Sequence, residues 1–366
     1  METHTRTLLV TGGAGFIGSN FVLGSVKSGF ARIVTLDRLS YAGNLANLTS
    51  LEGDPRHTFV RGDICDGPLV RRLLCEHRPS AVVHFAAESH VDRSIDAPDA
   101  FVRTNVVGTF SLLDAARAYL AEAPAEERAR FRFVHVSTDE VFGSLGADGH
   151  FREDSPYAPN SPYSASKAAS DMFVRAYHHT YGVPTITTNC SNNYGPFQFP
   201  EKLVPLMILN CLERKPLPVY GSGQNVRDWL YVEDHCEGIR RALDVGKPGE
   251  TYLFGGRSER TNLEMVHAIC DVVDELTGKP RGTSRELITF VTDRPGHDLR
   301  YAVDPSKAEL ALGWTRSCNL SDGLRRTVGW YLENHAWCSE ITSGRYRRER
   351  LGLGTSTASD GSGATA

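Results

Sequence analysis

The run Thr7-Leu8-Leu9-Val10-Thr11-Gly12-Gly13-Ala14-Gly15-Phe16-Ile17-Gly18 carries a strand straight into a glycine turn and on into a helical pattern that lasts to Lys27. No other feature narrows the fold as much. Gly12 and Gly13 permit the tight turn, Gly15 lets the backbone approach a pyrophosphate, and Gly18 lets the helix pack close on the strand. The free N–H groups and the dipole at the helix start then face the phosphates. A glycine cluster alone is compatible with a bare turn, but here Asp37 ends the next strand, about 20 residues on, where a carboxylate meets adenosine ribose hydroxyls. Asp37 points to NAD because it repels a 2′-phosphate, while Arg38 beside it is a side chain able to accept one. Asp63, after the third strand, is placed for the adenine edge. Phe85-Ala86-Ala87, after the fourth, is placed under the nicotinamide half.

The same rhythm continues. Short β-branched runs at Arg32 to Leu36, His57 to Val60, Ala81 to Phe85, Phe131 to Val136 and Pro184 to Thr188 alternate with helical patterns at Pro68 to His77, Ala100 to Leu120 and Tyr163 to Tyr181. Strands that are apolar almost throughout belong in a parallel sheet covered on both faces. The expected class is α/β, a doubly wound Rossmann-type sheet spanning 1–190, with some later segments returning to it. After Cys190 prolines and glycines crowd in, and 191–340 reads as a smaller α+β lobe that would hold substrate against the first. From 341 to 366 the chain passes an Arg cluster (345, 347, 348, 350) into a small polar tail expected to be disordered.

Composition removes other classes. The 366 residues carry 40 Lys+Arg against 44 Asp+Glu, so no positive field draws nucleic acid or an anionic membrane. No apolar run reaches the roughly 20 residues that span a bilayer, and Met1 to Thr7 lacks the apolar core of a signal peptide. The eight cysteines form no CxxC pair and the 13 histidines no HExxH, so reduced thiols of a cytoplasmic protein without a metal site are expected.

Tyr163-Ser-Ala-Ser-Lys167 puts a phenol and an ammonium at i and i+4 on one helix face. A cation ~4 Å away at an effective dielectric of about 20 contributes ~4 kcal/mol, enough to bring a phenol of pKa near ~10 toward neutrality. Such a phenol takes a proton from a carbinol as hydride leaves its carbon. The fifth strand ends in Ser137-Thr138-Asp139-Glu140-Val141-Phe142-Gly143, at the sheet edge where ligands sit. A Thr hydroxyl there bonds a substrate oxygen. Two adjacent desolvated carboxyls repel, so one keeps its proton and the pair becomes an acid and a base. A surface i,i+4 pair and a solvated acidic turn are the plain alternatives.

Gly12 to Gly18 with Tyr163 and Lys167 resembles the extended short-chain dehydrogenase/reductase superfamily. Asp37 to Asn44, Ala86 to Ser94, Ser137 to Gly143, Cys190 to Pro196, Pro200 to Leu203, Arg227 to Asp234 and Asp293 to His297 with Tyr301 are similar to the dTDP-glucose 4,6-dehydratases within it. The resemblance runs from about Thr7 to Tyr331. Arg38 stands where that family usually has Lys, and Phe142 where it often has Tyr.

The resemblance implies a hydro-lyase that dehydrates dTDP-glucose to its 4-keto-6-deoxy product. Tyr163 acts as redox base, Glu140 as base at C5, protonated Asp139 as acid at the C6 hydroxyl, Thr138 as partner of the 4-oxygen, and Lys167 as anchor of Tyr163 and the nicotinamide ribose. It implies an NAD site of Gly12, Gly15, Phe16, Ile17, Gly18, Asp37, Arg38, Ser40, Asp63, Ile64, Phe85, Ala86, Ala87, Thr104, Tyr163, Lys167 and Asn193. It implies substrate contacts from Ser89, Thr138, Asn192, Glu201, Lys202, Arg227, Asn262, Arg294, His297 and Tyr301, with the two arginines suited to a diphosphate. It implies a homodimer through the helices at Ala100 to Leu120 and Tyr163 to Tyr181. A nucleotide-sugar 4-epimerase shares the Tyr and Lys but needs no carboxyl pair. A non-catalytic NAD-sensing or scaffold protein on this fold would be expected to have lost some of these groups. Thymidine, uridine and cytidine substrates are not separated by these residues.

Overall fold

The structure, a computed structural model, describes residues 6–293 and 296–344. Arg294 and the segment 345–366, with its Arg cluster and tail, lie outside them.

Six strands alternate with helices: β1 (Thr7–Thr11), β2 (Arg32–Asp37), β3 (His57–Arg61), β4 (Ala81–His84), β5 (Arg132–Thr138) and β6 (Thr185–Cys190). Three short strands follow, β7 (Asn192–Tyr194), β8 (Leu217–Tyr220) and β9 (Val226–Tyr231), and then β10 (Thr251–Phe254) returns to pair with β6. The sheet order β10-β6-β5-β4-β1-β2-β3 is parallel throughout. Because β1 lies between β2 and β4, the chain winds outward in both directions from it. The crevice at the carboxyl ends of β1 and β4 is the switch point where ligands bind in such sheets.

Alternation along each strand sorts the core into two layers. On β1, Leu8 and Val10 join Phe21, Val22 and Val26 of the helix Phe16–Lys27. Leu9, pointing the other way, joins Val70, Leu73 and Leu74 of the helix Gly67–His77 and Leu112 and Leu113 of the helix Thr109–Glu122. Both faces are therefore buried, which is why the strands read as apolar throughout.

The expected helix from Ala100 to Leu120 is not one α-helix. A single turn, Pro98–Phe101, runs into a π-helical stretch, Val102–Gly108, before the α-helix Thr109–Glu122 begins. Hydrogen bonds to partners elsewhere in the chain hold the wide turn. Asn105 is buried and exchanges hydrogen bonds with Glu88, its Oδ1 accepting from the Glu88 N–H at 2.9 Å and its Nδ2 donating to the Glu88 carbonyl at 3.0 Å. Its own carbonyl accepts from the hydroxyls of Thr109 and Ser170. Hydrophobic periodicity does not register such a bulge, since it changes backbone pairing and not the apolar stripe.

The lobe is built on β7, β9 and β11 (Glu259–Thr261), beside the pair β8 and β12 (Ile288–Val291). The helices Leu203–Glu213, Asn262–Leu276 and Leu320–Glu333 pack around a second core. Residues 341–344, expected to start the tail, continue the helix His335–Gly344, because Ile341 is buried in this core with Trp337 and Cys338. That helix also reaches the sheet. The Trp337 indole N–H donates to Asn47 Oδ1 at 2.7 Å, and Asn47 Nδ2 donates to the Ala14 carbonyl in the glycine turn at 2.9 Å. None of the described helices is long and apolar enough to cross a membrane.

Trp337→Phe keeps an aromatic ring in the cluster but strands a buried Asn47 oxygen. It is expected to lower the unfolding free energy by roughly 1–3 kcal/mol, read as a lower urea midpoint at unchanged slope.

Candidate active site

The glycine turn is built so that nothing fills it. Gly12 has φ +71°, and a Cβ there would stand 2.5 Å from the Ala86 nitrogen. A Cβ on Gly18 would meet the Gly12 carbonyl at 2.2 Å. The helix Phe16–Lys27 starts at Gly15 with no side-chain cap and no acid in its first turn, which leaves its positive end for an anion. Asp37 Oδ2 accepts from the Ala14 N–H at 3.0 Å and Oδ1 from the Leu39 N–H at 2.8 Å, while burial pushes the carboxyl up. Arg38 does not reach out freely. One arm pairs with Glu88 at 2.5 Å and another with Asp63 at 3.4 Å.

A cavity extends from this turn along the carboxyl ends of the strands. All the residues expected at the cofactor line it, from Gly12 through Ser40, Ile64 and Thr104 to Asn193. Thr104 Oγ1 and Asn192 Oδ1 are buried polar atoms without a hydrogen-bond partner. Together with the uncapped helix and the space a Cβ would fill, they fit a dinucleotide carrying a diphosphate and hydroxyls. Among the described residues, no cluster of three His, Cys, Asp or Glu suits a metal ion.

Thr138, Asp139, Glu140, Tyr163 and Lys167 line the same cavity. Two local devices bring them there. β5 ends at Thr138, whose hydroxyl caps the next turn by accepting from the Glu140 N–H at 3.3 Å. The helix Pro162–Tyr181 starts with Pro162 behind a Ser161/Ser164 capping box, which fixes Tyr163 in its first turn. Lys167, one turn on, is buried and donates to the Val136 carbonyl at 2.9 Å.

Burial separates the two carboxyls. Asp139 is 2% exposed and its Oδ2 has no partner. Desolvation, reinforced by the Glu140 charge, holds its carboxyl far above the usual range, so it keeps its proton. Glu140 is only partly buried. Tyr163 is likewise held high by burial and by Glu140, with a hydrogen bond to Thr138 pulling the other way. Lys167 is pushed down to about 8 by burial, against the opposing charge of Asp171.

A second cavity opens into the lobe. Asn192, Glu201, Lys202 and Glu140 line both cavities, so the two meet beside the carboxyl pair. Arg227, Asn262 and His297 line the second, and Ser89 lines the first. Tyr301 lines neither cavity; it is buried beneath Arg227, whose guanidinium carbon is 4.2 Å above its ring. Arg227 lines the second cavity while donating to the carbonyls of Val226 and Asp298 at 2.7 and 2.9 Å.

Sequence reasoning missed His90, Asp92, Tyr220 and Trp229 in the second cavity and Glu88 beside Arg38. Glu88, His90 and Asp92 belong to the run from Ala86 to Ser94, and Trp229 follows Arg227, so their motifs were in view. Tyr220 carries no such signal.

An ammonium buried as Lys167 is should lose its proton near pH 8, against 10.5 for an ordinary lysine. NMR titration of the isotope-labelled Lys167 ammonium in the ligand-free protein checks this, with an exposed lysine as reference.

A profile of the family described as GDP-mannose 4,6 dehydratase matches residues 9–327. The chain is 60% identical over 347 residues to the dTDP-glucose 4,6-dehydratase of Xanthomonas campestris pv. campestris (strain B100), covering 94% of this chain and 99% of that one. The crystal structure of the dTDP-glucose 4,6-dehydratase of Streptomyces venezuelae, with NAD bound, superposes with a TM-score of 0.83 at 47% identity over 92% of this chain and 99% of that one. The NAD complex of the Thermus thermophilus UDP-glucose 4-epimerase is more distant, at 30% identity and a TM-score of 0.78, over 90% of this chain and 99% of that one. With its glycine turn, Tyr163–Lys167 pair and Asp139–Glu140 pair at the end of β5, this chain belongs to the dTDP-glucose 4,6-dehydratases of the extended short-chain dehydrogenase/reductase superfamily.

Proposed function

We propose that this protein converts dTDP-glucose to dTDP-4-keto-6-deoxyglucose with NAD, and that Tyr163, Lys167, Thr138, Asp139 and Glu140 carry the reaction. The observation behind the reading is a buried Asp139, its carboxyl held up by desolvation and by the neighbouring Glu140, lining the same cavity as Tyr163 and Lys167. NAD supplies the acceptor for hydride from C4 of the sugar and the source of the hydride returned to C6, so it ends unchanged.

Tyr163 takes the proton of the 4-hydroxyl. Burial makes its phenol a reluctant acid; the role assigned to the Lys167 ammonium, one helical turn away, is to offset that cost. Thr138 bonds the 4-oxygen as it becomes a ketone. The ketone acidifies the C5 proton, and Glu140, the more exposed carboxyl, removes it. Asp139 gives its proton to the C6 hydroxyl, which leaves as water. Glu140 then returns its proton to C5 as C6 is reduced. Tyr163 has gained one proton and Asp139 has lost one, so a single internal transfer resets the site. An epimerase has no leaving hydroxyl to protonate, and the Asp139–Glu140 pair argues against that reading.

Asp37, and an Arg38 already engaged by Glu88 and Asp63, favour NAD over a cofactor bearing a 2′-phosphate. The nucleotide would lie in the second cavity, met by Asn192, Lys202, Asn262 and His297, with Ser89 lining the first cavity where the two meet. Lys202 holds the Ser89 carbonyl at 2.8 Å and Glu201 holds Arg93 and Tyr41, so both also shape the wall. The eight free cysteines suit the reducing cytoplasm.

We further propose that two copies pair through the π-to-α helix and the helix Pro162–Tyr181. Val107 and Phe110 of the first and Met172, Phe173 and Tyr181 of the second are exposed large apolar side chains, and Phe110 meets Phe173 edge-on at 6.1 Å. Apolar side chains clustered across two helices mark an interaction face. Light scattering should give the mass of a dimer, and the double variant Phe110→Glu, Phe173→Glu should give half of it.

Incubating the purified protein with dTDP-glucose should remove one water from the sugar nucleotide, read by mass spectrometry. An unchanged mass with glucose turned to galactose would identify an epimerase. Asp139→Asn and Glu140→Gln should cut turnover by about 10²–10⁴-fold while NAD stays bound. Absorbance of reduced nicotinamide should build up in both variants, because oxidation at C4 precedes the blocked elimination.

A further inference from the structure

One buried charge has no part in these steps. Asp171 follows Lys167 by one turn of the helix Pro162–Tyr181, is 3% exposed, and is not among the residues lining either cavity. Its carboxylate is nonetheless densely bonded. Oδ1 accepts from His135 Nε2 at 3.0 Å. Oδ2 accepts from the Ser137 hydroxyl at 2.8 Å, the Tyr157 hydroxyl at 2.9 Å and Asn189 Nδ2 at 3.5 Å. Asn189 Nδ2 also donates to the Thr138 carbonyl at 2.9 Å. The helix that carries Tyr163 and Lys167 is thus tied to the end of β5, which carries Thr138, Asp139 and Glu140.

The protonation states follow from these partners. The Asp171 charge acts on Lys167 from behind, against the burial that pulls the ammonium down. His135 must carry its proton on Nε2 to donate to Asp171, and its Nδ1 has no partner. Burial holds that imidazole down to about 4, so it is neutral. Lys167 Nζ, 3.5 Å from His135 Nε2, finds no acceptor there because the lone proton position is already committed. Its hydrogen bond goes to the neutral Val136 carbonyl.

The other groups facing Lys167 cannot serve as a constant counter-charge. His84 on β4 is kept neutral by burial, the Cys190 thiol on β6 is pushed up, and Asp139 holds its proton. Tyr163, on the same helix, cycles between phenol and phenolate. Glu140 becomes neutral when it takes the C5 proton. The oxidised nicotinamide adds a second positive charge on the cavity side. An ammonium buried among such neighbours sheds its proton unless a fixed negative charge balances it.

We propose that Asp171 is a positioning residue for the reaction: its carboxylate is the fixed counter-charge that keeps Lys167 an ammonium, and its bonds to His135, Ser137 and Asn189 hold the Thr138–Glu140 turn in register with Tyr163. This rests on Tyr163 being the redox base.

The test is kcat for dTDP-glucose as holoenzyme, followed from about pH 5 to 10, where the acid limb reports ionisation of the base. In Asp171→Asn, Lys167 loses its proton more readily, Tyr163 becomes a weaker acid, and the limb should move up by about one pH unit or more. Turnover at pH 7 should fall by about tenfold or more. Tyr157→Phe removes one donor but keeps the charge, and should leave the limb in place. A limb that stays put or moves down in Asp171→Asn overturns the proposal, because direct loss of a negative charge would by itself make Tyr163 more acidic. An equal upward shift in Tyr157→Phe also overturns it. If Asp171→Asn yields no folded holoenzyme, Asp171→Glu takes its place: the retained charge should hold the limb in place while kcat falls, and an upward shift counts against the role. Tyr163→Phe keeps the two readings apart, since an acid limb that survives in it refutes Tyr163 as base and leaves Asp171 unjudged.

Discussion

Water is kept away from Tyr163, Lys167 and Asp139, and the chemistry of the site follows from that exclusion. Each of the three side chains belongs to a residue at most 8% exposed. In such surroundings a carboxyl keeps its proton, a phenol resists losing one and an ammonium is ready to lose one. The same desolvation acts in opposite senses on the two kinds of group, holding the Asp139 carboxyl protonated and pulling the Lys167 ammonium down. The site is therefore a balance of buried charges, and the sheet edge supplies the rigid frame in which that balance is held. Strands β5 and β6 and the helix Pro162–Tyr181 meet there through hydrogen bonds that cross among all three.

The lobe and the sheet are coupled as well as adjacent. Trp337, almost at the end of the described chain, holds Asn47, and Asn47 holds the Ala14 carbonyl in the glycine turn. Tyr41, Ala42 and Ala46, from the segment after Asp37, pack against the core of the lobe. Glu201 of the lobe accepts from Tyr41 and Arg93 of the sheet half at 2.9 and 3.1 Å. A cofactor seated on the turn would thus be enclosed by contacts from both halves. This suits a reaction in which hydride leaves and returns within one turnover.

Periodicity was a sound guide where the backbone is regular. The six strands of the first half and the helices Phe16–Lys27, Gly67–His77 and Pro162–Tyr181 lie within a few residues of their expected bounds. It failed where hydrogen bonds depart from the regular ladder, as in the π-helical stretch Val102–Gly108, whose cause is an Asn105 engaged with Glu88 far away in sequence. Nor can periodicity show side-chain partners far along the chain, such as the Arg227 guanidinium that lies over the Tyr301 ring and donates to the Asp298 carbonyl.

What the sequence determined alone is local in nature: a glycine turn between strand and helix, an acid at the end of the second strand, a phenol and an ammonium one helical turn apart, and two adjacent carboxyls at a strand end. Each is a spacing along one element, so the geometry of helix and strand is enough to interpret it. The tertiary structure alone decided that Asp139 lies deep while Glu140 is only partly buried, because depth is a property of everything packed around the pair. It also decided that Arg38 is engaged by Glu88 and Asp63, and that Asp171 lies behind Lys167 with His135, Ser137, Tyr157 and Asn189 around it. Electrostatic interactions depend on distance through space and on the exclusion of water, and neither can be read along a chain.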